Sequence, residues 1–215
     1  MQPLGTNRGW IVGITGASGA PYGVRLIERL LDMKLTVHIL ITDAGWRVLK
    51  EEHGWDATRR EQTIQQQFGN RGGNYTIYPI ADIGAKIASG SFRVDGMVVI
   101  PCSMGTLAAI AHGLSDNLLE RAADVTLKEG RKLILVPRET PVHAIHLQNM
   151  LTLAQMGVHI VPASPGFYNQ PSTIEDLIDF QVGKVLDIMG IDHDLYRRWG
   201  EGETHDRASQ PRSQR

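Results

Sequence analysis

The sequence has a single cysteine, no long apolar run and almost no net charge, and each lack excludes a class of protein. Cys102 alone cannot form an intramolecular disulfide or a cysteine-built zinc site. No apolar run approaches the roughly 20 residues that span a bilayer, and no signal-peptide pattern stands near the N-terminus. A formal net charge of −1 gives no reason to expect nucleic acid or an anionic membrane as partner. We therefore expect a cytoplasmic protein with neither kind of partner.

Apolar strands that alternate with helical segments predict a single α/β domain over residues 1–200. Continuous apolar runs such as residues 10–15, 35–42 and 96–101 are typical of strands that are buried on both faces of a parallel sheet. The pattern predicts a parallel sheet covered by helices on both faces, which is a three-layer αβα architecture. Further strands are expected at 75–80, 132–136 and 158–161, and helices at 21–32, 43–52, 103–112, 117–129, 141–156 and 172–189.

Two polar segments interrupt this pattern. Residues 53–74 are rich in glycine, glutamine and asparagine, which predicts a long connection or a partly mobile excursion. Residues 201–215 are polar, and we expect a disordered tail there. Asp43 is a candidate cap for the helix that follows the second strand.

The small residues 16–20, with the sequence GASGA, follow the first strand and open a helix. Free backbone N–H groups at a helix start attract phosphate, and Ser18 adds a hydroxyl. The loop lacks both the G-x-G-x-x-G fingerprint and the Walker lysine, so neither a nicotinamide cofactor nor ATP is favoured. The alternative interpretation is a tight turn that packs the helix on the strand.

Residues 101–106, with the sequence PCSMGT, repeat this design after a later strand. Ser103 and Thr106 offer hydroxyls next to helix-end amides, although Ser103 taken alone is better explained as a helix cap. The carboxyl ends of parallel strands meet at one edge of an α/β sheet, where ligands bind. Two such loops therefore indicate a mononucleotide, with its phosphate on one loop and its ring near the other.

Arg138 and Glu139 lie between two prolines at the end of another strand, in the sequence PRETP. An arginine there can hold a phosphate, and a glutamate beside a bound anion can carry a proton; a surface salt bridge is the alternative. Tyr168 lies on a rigid loop at the same edge, unless it fills the core instead.

Other charged or reactive side chains have simpler explanations when taken alone. Arg121 and Lys128 share a helix face, and with Lys184 they would ordinarily be solvated. His143 and His146 also share a face, but no third ligand is evident, so no metal site is expected. Cys102, at a strand end, is expected to be an inert core residue.

Several motifs, in order, resemble the UbiX-type flavin prenyltransferases, and the resemblance runs from about Trp10 to Glu201. The motifs are GASGAPYG at 16–23, PCSMGTL at 101–107, NLLERAADVTLKE at 117–129, LVPRETP at 135–141, PGFYNQP at 165–171 and RRWGE at 197–201.

This resemblance implies a flavodoxin-like, Rossmann-like fold. It also implies that reduced FMN is alkylated by dimethylallyl phosphate without a metal, giving prenylated FMN for a UbiD-type decarboxylase. It further implies trimers that assemble into a dodecamer, with active sites at the contacts between subunits. Arg121 and Lys128 could therefore serve the active site of a neighbouring subunit. The residues implied to bind FMN are Gly16, Ala17, Ser18, Thr42, Ser103, Met104, Gly105, Thr106 and Arg138. Those implied to bind the prenyl phosphate are Arg121, Lys128, Glu139, Tyr168 and Lys184, and those implied in catalysis are Ser18, Glu52 and Glu139, with Trp199 as a further π face.

One position departs from the family pattern. Position 184 is commonly arginine in this family and is lysine here. Lysine still neutralises phosphate, but as a point charge rather than a bidentate fork. Two other functions stay open on the same fold: an FMN-dependent cysteine decarboxylase and a non-catalytic flavin carrier. The first is disfavoured because the loop at 162–167 reads PASPGF rather than the PASANT-like sequence of that group.

Overall fold

The structure of the protein is a computed structural model, and it describes residues 8–198. The predicted tail at 201–215 and Trp199 lie outside the described residues. Within them the sheet has six strands in the order β3-β2-β1-β4-β5-β6, and every pairing is parallel. The strands are β1 (Trp10–Ile14), β2 (Thr36–Ile41), β3 (Asn74–Tyr78), β4 (Gly96–Cys102), β5 (Lys132–Pro137) and β6 (His159–Ile160).

Helices cover both faces of this sheet, which confirms the predicted three-layer αβα architecture. Within β1, Val12 and Ile14 face one core cluster while Ile11 faces the other, so the strand is apolar throughout. The helices are α1 (Ala20–Asp32), α2 (Asp43–His53), α3 (Arg60–Phe68), α4 (Met104–Ala111), α5 (Leu118–Lys128), α6 (Ala144–Gln155) and α7 (Ile174–Met189), and a short 3₁₀ turn spans Lys86–Ala88.

The two core clusters divide the helices between the layers. On one side, residues of α1 and α7 such as Ile27 and Val185 pack with Phe68 of α3. On the other side, α4 and α5 contribute Leu107 and Leu119. No helix in the described part of the chain is long and apolar enough to cross a membrane.

The expected connection at 53–74 is wrong, because this segment contains α3. Its two apolar side chains, Ile64 and Phe68, are four residues apart and both are buried. Phe68 also makes an edge-to-face contact with Trp55, with ring centroids 5.9 Å apart. Two apolar residues among glutamines are a weak helical pattern. The stability of α3 therefore comes mainly from the burial of these two side chains.

The start of α6 and the cap of α2 differ from the predictions. α6 begins at Ala144 rather than 141, and His143 is its N-cap, with its ring nitrogen 3.4 Å from the backbone N of His146. Asp43 is not the cap of α2: Thr42 is, because its hydroxyl accepts a hydrogen bond from the backbone N–H of Gly45 at 3.0 Å. Asp43 is instead the first residue of the helix and pairs with Arg60 at the surface.

Candidate active site

The predicted loops meet where the strand order reverses. β1 and β4 are neighbours, and the chain continues from β1 to β2 on one side and from β4 to β5 on the other. Such a reversal leaves a crevice beyond the carboxyl ends of the strands. Buried Thr15 ties the two sides together: its hydroxyl donates to the carbonyl of Pro101 at 2.8 Å and accepts from the backbone N–H of Ser103 at 2.7 Å.

Glu52, at the end of α2, holds the first loop. Its carboxylate accepts hydrogen bonds from the backbone N–H groups of Gly19 at 3.1 Å and Ala20 at 2.8 Å. Gly19 has a φ of +103°, a left-handed conformation that favours glycine. The expectation of free N–H groups at this helix start is therefore corrected at two positions, since an internal carboxylate already binds them. The helix start does attract an anion, and that anion is Glu52.

The rest of the first loop has one exposed polar side chain. Ser18 is exposed, whereas Ala17 is buried. Gly16 lies so close to α2 that a Cβ there would be 2.6 Å from the Cβ of Ala44. The tight-turn interpretation therefore holds for Gly16, while Ser18 remains accessible to a ligand.

The second loop begins α4 and combines a cap with an open surface. The Ser103 hydroxyl caps the helix by accepting from the Thr106 backbone N–H at 3.3 Å, and it donates to the Thr106 hydroxyl at 3.0 Å. Met104 is buried, so its contact with any ligand would be through its backbone. A Cβ added to exposed Gly105 would meet nothing within 4 Å. Protein packing therefore does not explain this glycine, and close approach of a ligand would.

Arg138 reaches from the end of β5 to the first loop. Its Nε donates to the carbonyl of Ser18 at 3.2 Å, which places this guanidinium next to the crevice. Glu139 is exposed, and its carboxylate accepts from the backbone N–H of Thr140 at 3.0 Å. The surface salt bridge that was the alternative for this pair is not among the ion pairs of residues 8–198.

Tyr168 and Lys184 lie around one phenylalanine. Tyr168 is 47% exposed, which rules out the core-filling alternative. Its ring meets the ring of Phe180 edge to face at 5.4 Å, and the Lys184 ammonium lies 5.6 Å from the centroid of the same ring. A hydrogen bond with Tyr196 raises the pKa of Lys184 above its ordinary value, so this lysine is a cation at neutral pH.

The structure does not bring Arg121 and Lys128 to the crevice within one chain. Both lie on α5, where Arg121 pairs with Asp124 at 3.1 Å and Lys128 with Glu129 at 2.5 Å. Lys128 and Met156 line a surface depression of about 240 Å³ on the α4–α5–α6 side of the sheet.

Two other candidates are explained by packing. Cys102 is fully buried, and burial raises the pKa of its thiol, so it is the inert core residue that was expected. The rings of His143 and His146 stack with centroids 3.5 Å apart. Among residues 8–198 no cluster of three or more His, Cys, Asp or Glu side chains could hold a metal ion.

Sequence reasoning missed two groups that organise the site. Thr15 looks like the last residue of a strand, and only the register of β1 against β4 shows that it joins two loops. Tyr196 follows α7 in a polar segment without periodicity, and its contact with Lys184 depends on how the chain turns back.

The chain is similar to known flavoproteins over most of its length. A family model described as Flavoprotein matches residues 2–193. The flavin prenyltransferase UbiX of Alkalihalophilus pseudofirmus is 57% identical over 190 residues, which cover 88% of this chain and 95% of that protein.

Two solved structures have the same architecture. AnUbiX (PadA1) in complex with FMN and dimethylallyl pyrophosphate is 40% identical with a TM-score of 0.81, covering 88% of this chain and 96% of that one. A dodecameric FMN-dependent UbiX-like decarboxylase from Escherichia coli O157:H7 is 46% identical with a TM-score of 0.80, covering 88% and 98%. The peptidyl-cysteine decarboxylase EpiD, at 17% identity and a TM-score of 0.54, shares the fold alone.

Proposed function

This chain belongs to the UbiX-type flavin prenyltransferases and is an FMN-dependent enzyme of that kind, and we propose that the crevice between β1 and β4 is where it prenylates flavin. One observation carries the proposal. The loops at Ser18, Ser103 and Arg138, far apart in sequence, are joined at this crevice by hydrogen bonds through Thr15 and the Ser18 carbonyl.

The residues around the crevice fit an FMN molecule. Gly105 leaves room for a flat ring to approach the backbone, and Ser103 and Thr106 offer hydroxyls beside it. Arg138 supplies a positive charge for the phosphate, and Thr42 supplies a hydroxyl at the end of β2. Ser18 adds an exposed hydroxyl beside Gly16 and Ala17.

Reduced FMN supplies the nucleophilic N5 and C6 atoms to which the dimethylallyl group of dimethylallyl phosphate is joined, and prenylated FMN is the product. The protein's task is to stabilise the charge that develops on the departing phosphate and on the allylic carbon. A phosphate monoester dianion is a poor leaving group, and positive charge and a proton both improve it. The face of an aromatic ring stabilises an allylic cation, and exposed Tyr168 offers one.

Glu139 and the pair Ser18 and Glu52 divide the proton transfers. Glu139 is exposed beside Arg138, and we assign it the proton given to the phosphate. Ser18 and Glu52 flank the first loop, where the Glu52 carboxylate is held by the Gly19 and Ala20 amides. We assign them the proton that must leave the flavin nitrogen, with Ser18 as the hydroxyl and Glu52 as the acceptor.

The remaining cations act on the prenyl phosphate. Lys184 would do so within the same chain, beside Tyr168. Arg121 and Lys128 would act on the site of a neighbouring subunit. Met156, which follows α6, lines the same depression as Lys128 and is more than half exposed, as are Ile145 and Leu151 on α6. Such a surface is typical of a subunit contact. We propose trimers assembled into a dodecamer.

A product that is itself a cofactor needs an acceptor. We propose that prenylated FMN is released in the cytoplasm for a UbiD-type decarboxylase. The loops that form the crevice are exposed to solvent at Ser18, Gly105 and Glu139. A ligand bound there can therefore leave directly into solvent.

The test is a mass spectrum of the flavin after anaerobic incubation of the protein with reduced FMN and dimethylallyl phosphate. We expect FMN enlarged by one five-carbon unit, and a parallel reaction with the pyrophosphate shows which donor is used. Recovery of unchanged FMN with both donors would identify a flavin carrier instead. Loss of carbon dioxide from a cysteine-containing substrate would identify a cysteine decarboxylase.

A further inference from the structure

The segment after α7 folds back onto that helix and places Tyr196 against it. The ring of Tyr196 lies 5.1 Å from that of Phe180. A Cβ added to Gly183 would be 2.6 Å from two carbon atoms of this ring, so the glycine makes room for it. Tyr196 is therefore packed into α7 rather than left on the surface.

This packing brings the tyrosine to Lys184. The ammonium of Lys184 lies 5.0 Å from the centroid of the Tyr196 ring, closer than it lies to Phe180. The Tyr196 hydroxyl is also the main cause that raises the pKa of Lys184 above its ordinary value. Two rings thus lie against an ammonium whose side chain otherwise has four rotatable bonds.

Asp187 fixes the direction of that hydroxyl. The Tyr196 O–H donates to the Asp187 carboxylate, and Arg198 donates to the same carboxylate at 2.8 Å. Burial alone would raise the pKa of Asp187, but hydrogen bonds from Tyr196 and Arg198 lower it, so it is a carboxylate. Because the hydroxyl hydrogen points to Asp187, the oxygen lone pairs are left to accept from Lys184.

We propose that Tyr196 is a positioning residue for prenyl transfer, which holds the Lys184 ammonium where the phosphate of the prenyl donor binds. This inference rests on the proposed function. An arginine at position 184 would present a rigid fork, whereas lysine presents a mobile point charge. In this chain Asp187 and Tyr196 supply the rigidity that the lysine side chain lacks.

The experiment combines Tyr196→Phe with Lys184→Ala in a double-mutant cycle. Tyr196→Phe keeps the ring and removes the hydroxyl. We expect the KM for dimethylallyl phosphate, at saturating reduced FMN, to rise about tenfold, within the range of one charge-assisted hydrogen bond. The affinity for FMN should not change. In the Lys184→Ala background Tyr196→Phe should have no further effect, because it acts only through the lysine.

Tyr75→Phe is the matched control. It removes a tyrosine hydroxyl that donates to Gln65 and lies on the edge strand β3. The KM for dimethylallyl phosphate should stay at the wild-type value. Should Tyr196→Phe fail to fold, Asp187→Asn tests the same chain of bonds, with the same expected rise and the same loss of effect without Lys184.

The outcomes separate the two proposals. Failure of the unaltered chain to prenylate FMN would overturn the proposed function and this inference with it. Normal prenylation with an unchanged KM in Tyr196→Phe would overturn the inference alone. An equal rise in KM with and without Lys184 would also overturn it, because Tyr196 would then act on the fold and not through the lysine.

Discussion

Lys184 carries one positive charge between two aromatic rings. Substituting it tests directly whether the residues expected from the family resemblance bind the prenyl phosphate. We expect Lys184→Ala to weaken the apparent affinity for dimethylallyl phosphate by about 10- to 150-fold, the range of one charge-assisted contact. Lys184→Arg should be tolerated because it keeps the charge. The measurement is KM for the prenyl donor at saturating reduced FMN.

Lys50→Ala, which removes an exposed lysine from α2, serves as the control and should leave this KM unchanged. If Lys184→Ala behaves like the control, position 184 has no part in binding the phosphate.

Glu139 is exposed beside Arg138, and the proposed function assigns it the proton given to the phosphate. Glu139→Gln keeps the shape and removes the acidic proton. We expect FMN binding to persist and the single-turnover rate of prenyl transfer to fall by about 10²-fold or more. Glu61→Gln, at an exposed glutamate of α3, should keep the wild-type rate. A normal rate in Glu139→Gln would remove this residue from the mechanism.

How far single residues could be predicted depended on whether they stand in a motif. Arg138 and Ser103 stand in local sequences with a clear chemical meaning, and the structure places both at the crevice. Tyr196 stands in no such motif. It contacts Lys184 only because the chain after α7 turns back onto that helix. The hydrogen bond from the Gly19 backbone N–H to Glu52 was equally unpredictable, because the two residues are 33 positions apart in the sequence.

At the scale of elements, the start of α2 shows how a neighbouring residue can be mistaken for a cap. Thr42 has extended backbone angles and accepts from Gly45, whereas Asp43 is already helical. Thr42→Ala should lower the free energy of unfolding by about 1 kcal/mol in flavin-free protein, as measured by urea denaturation. Asp43→Ala should cost less, because it breaks only an exposed ion pair with Arg60. A larger loss for Asp43→Ala than for Thr42→Ala would contradict this assignment.

β2 contains a histidine that makes folding depend on pH. His38 is 4% exposed, and burial, aided by the charge of Lys86, lowers its pKa from 6.5 to about 4. Below pH 6.5 the unfolded chain binds a proton that the folded chain does not yet bind. The free energy of unfolding should therefore fall as the pH drops from 6.5 towards 4, by up to about 3 kcal/mol from this residue.

The measurement is urea denaturation across this pH range, compared with His38→Gln. Carboxylates titrate in both proteins, so the difference in slope isolates His38. Identical slopes would show that the buried ring is protonated as readily as in the unfolded chain.

The elements themselves were predictable where apolar runs were long. β1 and β4 are buried along their whole length, and their sequences alone indicate this. α3 was not predictable, since its buried face consists mainly of Ile64 and Phe68 and its stability comes from packing on Trp55.

For the whole molecule, the proposed function assigns the charge on the leaving phosphate to side chains. Arg138 lies at the crevice, and we propose that Lys184, together with Arg121 and Lys128 of a neighbouring subunit, completes the set of cations. We therefore expect full turnover in the presence of EDTA, measured as prenylated FMN formed under anaerobic reducing conditions. A loss of turnover that magnesium restores would contradict this expectation.

The reversal of strand order at β1 and β4 has a thermodynamic consequence. The residues that meet at the crevice come from loops spread from Thr15 to Arg138, and Thr15 and Arg138 join these loops only when the sheet is formed. FMN therefore has no binding site on the unfolded chain, and its presence adds to stability by mass action, about 2.7 kcal/mol at a hundred times its dissociation constant. The substrate that this enzyme consumes in each cycle therefore also stabilises its folded state for as long as it is bound.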